Sequence, residues 1–209
     1  MSARAIGLIL GMTALTGCGS SATSPPATPN HAAASIPAAS LRLFTVQGGE
    51  EPGFTPQDTA VHPTASSFVV GESSSTRAQT DIARLNREGF RGGAIETLAV
   101  NSGQQGGGVS AVIVLGSTAA ARRELAVELQ GIESTQGAGA IISHFTVPSI
   151  ATARGFSATQ PSQGGAGNVL FIEGSCLLVV GDSGNQSELS TPLIQAAERI
   201  DTRTHGTCP

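Results

Sequence analysis

Regular hydrophobic spacing sets in clearly after residue 74. Ala78, Ile82 and Leu85 fall at i, i+4 and i+7, while Arg77, Asp81, Arg84 and Glu88 take the opposite side. That spacing predicts an amphipathic helix with Ser74 or Ser75 as cap, Asp81 near enough to pair with Arg84, and Gly89 as its stop. Phe90–Val100 then reads as a strand and Val109–Leu115 as a more buried one, joined by a glycine- and amide-rich link at Asn101–Gly108. A second helix is predicted from Ser117 to about Gln130, with Ala121, Leu125, Leu129 and Ile132 as its stripe. Ile141–Val147 alternates and ends at Pro148, and Gly155–Ala158 extends the same sheet.

The clearest hairpin is Asn168–Ile172 and Cys176–Val180 around the turn Glu173-Gly174-Ser175. Both arms are nearly all apolar, which places them centrally. A last helix is expected with Thr191 as cap, Pro192 in the first turn, and Leu193, Ala197 and Ile200 facing inward. Before residue 74 the pattern is weaker. Leu41–Val46 alternates in part and predicts a first strand ending at Gly48-Gly49. A long irregular stretch follows through Pro52, Pro56 and Pro63, with a short strand at Ser67–Val70. The fold class is therefore α+β: an antiparallel sheet with about three helices packed on one face. The helix-strand-strand unit at residues 75–115 is followed by a similar succession, which hints at duplicated α-β-β halves.

The first 40 residues follow different rules. Arg4 precedes an apolar run from Ala5 to Leu15, then small residues lead into Cys18. This is the build of a secretory signal, and about 11 apolar residues fall short of the roughly 20 that span a bilayer. Leu15-Thr16-Gly17-Cys18 resembles the lipobox of bacterial lipoproteins. The resemblance implies cleavage after residue 17, diacylation of the Cys18 thiol by palmitate-class chains, and a cell-membrane anchor on the extracytoplasmic side. It covers only these first residues. Two acyl chains anchor stably where one does not. Gly19–Ser40 is rich in Ser, Pro, Ala and Thr and has no charge, so it is expected to be a disordered tether. At no more than ~3.3 Å per residue it reaches roughly 70 Å. The expected organisation is a signal peptide at 1–17, a lipidated cysteine and tether at 18–40, and a single exported domain at 41–209.

Composition narrows the partners. The chain has 27 Gly, 7 Phe, no Trp and no Tyr, and a formal charge of −4. All 11 of its Lys+Arg cations are arginines, which reflects a GC-rich genome more than a function. No basic stripe suits nucleic acid, and no polybasic run suits anionic lipid, so membrane attachment rests on Cys18. With Cys18 assigned to lipid, Cys176 and Cys208 remain as an even pair in an exported domain, and a structural disulfide is expected. Closing a loop of about 33 residues stabilises by roughly 3–4 kcal/mol.

No catalytic constellation emerges. Gly181-Asp182-Ser183-Gly184 resembles the nucleophile motif of chymotrypsin-like serine proteases, which would make Ser183 the nucleophile. Asn185 departs from that motif, no Ala-Ala-His-Cys segment precedes it, and a turn before the last helix is the better account. His31, His62, His144 and His205 are far apart and lack ligand spacing, and His144 beside Phe145 reads as a partly buried structural residue. The runs Gly106–Gly108 and Gly164–Gly167 do not open a helix as phosphate loops do, and Leu115-Gly116-Ser117 lacks the other glycines and lysine of such a loop. No cofactor or metal and no enzymatic activity are expected. The expected function is a membrane-anchored, extracytoplasmic, non-catalytic module that binds or senses a small ligand. Such an arrangement resembles, in organisation only, the exported sensor-like and substrate-binding lipoproteins of high-GC Gram-positive bacteria. The alternative is a structural lipoprotein that docks on a membrane complex or envelope polymer.

Overall fold

A computed structural model describes residues 36–70, 76–101, 106–134, 141–160, 164–184 and 190–209. The signal, lipobox and almost all of the tether, with His31, Ser74, Ser75 and Asn185, lie outside the described residues. The elements in order are α1 Ala38–Arg42, β1 Phe54–His62, α2 Ala65–Val70, α3 Thr76–Arg87, β2 Gly92–Val100, β3 Gly106–Val114, α4 Thr118–Ser134, β4 Ile141–Phe145, β5 Arg154–Gln160, β6 Gly164–Glu173, β7 Cys176–Gly184 and α5 Ser190–Thr204.

All seven strands form one antiparallel sheet in the order β1-β2-β3-β7-β6-β5-β4. Two meanders, three strands and four, meet edge to edge where β3 pairs with β7. The class is α+β, with helices on both faces instead of one. Sheet parity makes the second layer necessary. Leu178, Val180, Val169 and Phe171 face one core with α1 and α5, whereas Leu177, Leu170 and Ile172 face another with α2, α3 and α4. Strands buried on both faces need cover on both.

Three early elements differ from expectation. Leu41 and Phe44 are buried while Leu43 between them is 52% exposed, so the partial alternation is the i, i+3 spacing of a short helical turn, α1 and its exit. The proline-marked stretch contains β1. Its Pro56 is tolerated because β1 is an edge strand, and the register slips between Pro56 and Asp58. Ser67–Val70 belongs to α2, whose start is fixed by Thr64: Ser67 N–H donates to Thr64 Oγ1 (3.2 Å) and Ser67 Oγ to Thr64 O (2.8 Å).

The later elements follow the periodicity closely. Gly89 takes φ 73° after α3, and Ser117 Oγ caps α4 by accepting Ala120 N–H (3.1 Å). Arg84 pairs with Asp81 (2.8 Å) and with the buried Glu124 of α4, while Arg123 reaches Glu88, so the two helices are clamped together. Cys176 at the start of β7 is bonded to Cys208, and His205 and Gly206, both at positive φ, turn the chain after α5 back toward it.

Replacing Cys176 and Cys208 together by Ala should cost about 3 kcal/mol, read as a fall in Tm under non-reducing conditions. An unchanged Tm would show that the bond does not restrain the unfolded chain.

Candidate functional site

Between α1 and β1 the chain runs as a strap, residues 43–53, across the sheet face that α5 also covers. Two α5 arginines hold it down. Arg203 Nε donates to Leu43 O (2.9 Å), its Nη2 to Thr45 O (2.6 Å), and Nη1 pairs with Glu50. Arg199 donates to Gly49 O. From the sheet side, the buried Ser110 Oγ accepts Val46 N–H (3.0 Å). Glu51 follows, then Gly53 at φ 89° turns the strap into β1.

Fixed in this way, Glu51 is 1% exposed. Asp182, third from the end of β7, is 0% exposed and stands opposite Gly108 of β3 and Gly167 of β6. Neither Glu51 oxygen nor either Asp182 oxygen has a hydrogen-bond partner. Burial, with the Asp182 charge adding to it, pushes Glu51 up to about 8. Burial pushes Asp182 up to about 7; the Gly167 amide, short of standard hydrogen-bond geometry, pulls the other way. Near neutral pH the pair therefore holds protons that exposed carboxyls would have lost. Such orphaned groups are costly unless something satisfies them.

The Gly181–Gly184 motif is thus strand, not turn. All four residues continue the β3 and β7 pairing. A Cβ at Gly181 would lie 2.1 Å from Asn168 Oδ1, so a larger residue there would displace the Asn168 side chain. Ser183 Oγ donates to Gly107 O (3.1 Å), a backbone bond that gives no activated nucleophile. The glycine runs are also strand: Gly106–Gly108 in β3 and Gly164–Gly167 in β6.

The histidines stay apart. His62 lies edge-on to Phe68 (centroids 5.6 Å), and burial lowers its pKa. His144 is exposed on edge strand β4, not partly buried, because among the described residues no further strand lies beyond β4 to cover it. His205 is exposed beyond α5. Among the described residues no three His, Cys, Asp or Glu groups cluster for a metal.

Sequence reasoning missed the carboxyl pair. Asp182 was legible in principle, since Cys176, Leu178, Val180 and Asp182 share one face by period two. Glu51 carries no local signal, because only the strap's tertiary path buries it.

The fold has a structural neighbour: the crystal structure of the extracellular domain of PknH from Mycobacterium tuberculosis. The TM-score is 0.50 at 6% identity, covering 80% of this chain and 98% of that one. The likeness is one of fold. No protein-family model matches the chain, and no curated protein matches it by sequence. Among the described residues no helix is long and apolar enough to cross a membrane.

The raised carboxyls set a pH dependence. Between about pH 4.5 and 8 these two groups bind more protons in the folded state than in the unfolded chain, so their contribution to stability falls as pH rises. Glu173, pushed up to about 7 by burial, adds to the same slope. In the presence of a chelator, Tm should fall from pH 5 to pH 8.5, and Asp182→Asn should flatten the fall without abolishing it. A wild-type Tm that rises over that range would contradict the burial of the pair.

Proposed function

We propose that this protein is a lipid-anchored extracytoplasmic lipoprotein whose folded part is a non-catalytic binding or sensing module. The observation that carries the binding reading is two buried carboxyls, Glu51 and Asp182, whose four oxygens have no hydrogen-bond partner of standard geometry. Buried polar groups are nearly always satisfied, so a site left short is a place for something that is not part of the chain. Support for the location comes from the lipobox at Leu15–Cys18, the Cys176–Cys208 bond suited to an oxidising compartment, and the resemblance of the fold to an extracellular domain.

The strap gives such a site a way to report occupancy. Its residues 43–50 are tied to α5 through Arg199 and Arg203. Whatever draws Glu51 toward Asp182 also tightens the layer above the sheet. Sensing here is a change in the order of the strap, with no bond made or broken.

Two measurements test the reading. Cys18→Ala should move the protein from the membrane to the soluble fraction, whereas a variant retained in the membrane would remove the anchor from the proposal. Native mass spectrometry of the full chain, extracted in mild detergent, should show an added mass that is lost on denaturation. A bare chain would favour the docking lipoprotein, and crosslinking in intact cells would then be expected to capture an envelope partner.

A further inference from the structure

The fold gathers arginines that the sequence spaces apart. They meet at the end of the sheet marked by the row Gly92, Val114, Cys176 and Glu173, where β2 begins and β3 ends. Arg87 closes α3, and Arg91 precedes β2 with its N–H donating to Val114 O (2.8 Å). Gly116 N–H donates to Glu88 O (3.0 Å), which brings the start of α4, with Arg122 and Arg123, beside the end of α3. All four arginines are exposed. The acids among them are engaged within the cluster, Asp81 and Glu124 with Arg84, and Glu88 with Arg123. Arg87, Arg91 and Arg122 form no ion pair among the described residues.

The other acids stand elsewhere. Glu173 is buried against Thr204, and Asp201 lies on α5, across the sheet. Toward the opposite end, Glu50 and Glu51 come just before β1, which starts opposite Val100, and Glu133 is in the last turn of α4. The chain enters the described fold at the arginine end: Ile36 and Leu41 lie 3.9 and 3.6 Å from where a Cβ on Gly92 would stand, and Arg91 is the residue before it.

We propose that this end, through Arg87, Arg91, Arg122 and Arg123, docks on the anionic phospholipid surface of the membrane that holds Cys18. This rests on the anchored-module reading and adds an orientation to it.

Charge and position together select the partner. A guanidinium matches phosphate oxygens through paired N–H groups, so exposed arginines without a counter-charge suit a surface of phosphate headgroups. A chain held at Cys18 and entering the fold at Ile36 brings this end nearest the bilayer, which favours lipid over an anionic polymer farther out. The contact is electrostatic and weakens with salt. Acyl chains hold the protein and the arginines orient it. With this end on the membrane, Glu51 and the strap's junction with β1 face away from it.

The test uses the full chain as Cys18→Ala, recovered from the soluble fraction and sedimented with vesicles. Vesicles with about 30 mol% phosphatidylglycerol should bind it at about 0.1 M NaCl and release it at about 0.5 M, while pure phosphatidylcholine should not bind it. Arg87→Gln combined with Arg91→Gln should weaken binding roughly 25-fold, about fivefold per charge. Both side chains are exposed and unpaired, so Tm should not change. Gln130→Glu, farther along α4, adds a negative charge away from the arginine end and should change binding by less than about twofold.

No binding to the phosphatidylglycerol vesicles would overturn the docking surface, as would binding that the double variant keeps. Arginine-dependent capture of polyphosphate without vesicle binding would assign the surface to an anionic polymer and overturn the lipid. The anchor is read separately, on the wild type in cell membranes. Release by 0.5 M NaCl would discard the anchor reading, whereas resistance to that salt in a protein whose Cys18→Ala form ignores the vesicles would keep the anchor and discard the docking.

Discussion

The pairing of β3 with β7 is the constraint on which the rest of the structure depends. It joins the two meanders into a continuous sheet, and its register runs from Gly106 opposite Gly184 to Val114 opposite Cys176. The central strands are apolar on both faces, so neither face can be left to solvent. Helices must therefore be supplied on two sides: α2, α3 and α4 on one, α1 and α5 on the other. The order of the chain follows from this. After β3 reaches the centre, α4 crosses one face and lets β4 begin at the far edge, from which the second meander returns to close against β3.

The two helical layers are secured differently. On the α3 and α4 side the charges are paired with one another, Arg84 with Asp81 and Glu124, and Arg123 with Glu88. Even there Glu124 retains an unpartnered oxygen, and its pKa is raised because burial outweighs Arg84. On the α5 side the arginines are used on the strap, on its backbone carbonyls and on Glu50, while Glu51 and Asp182 keep no hydrogen-bond partner. A buried carboxyl without a partner destabilises a fold by about 1–3 kcal/mol or shifts its protonation to avoid the cost. Glu51 and Asp182 avoid part of that cost by keeping their protons up to about pH 8 and 7.

How much of this could be read from the sequence depended on whether an element was stabilised locally. Ala78, Ile82 and Leu85, the capping Ser117 and the Glu173-Gly174-Ser175 turn each carry their own signal, and α3, α4 and the β6–β7 hairpin fall where that signal puts them. Residues 41–70 do not. Leu41, Phe44 and Val46 are apolar because they lie against the sheet, not because they repeat. Pro56 is allowed in β1 only because β1 is at the edge, a fact of topology that no window of sequence contains. The motif Gly181–Gly184 has the composition of a turn, yet its neighbours on both sides hold it as strand. The candidate site was the least legible part, since it joins residue 51 to residue 182 through a path that only the folded chain defines.

The position of the strap has a mechanical consequence. Everything on the N-terminal side enters the described fold at Ile36, which packs against the core, and passes through the five residues of α1 before reaching the strap. A pull applied from that side does not meet the sheet first. It loads α1, then the hydrogen bonds from Arg203 to Leu43 and Thr45 and from Val46 to Ser110, one after another, in the manner of a zipper. The long β1–β2 ladder, which resists in parallel, lies behind them. Tension on the chain would accordingly strip the strap and uncover Glu51 while the seven-stranded sheet stayed intact.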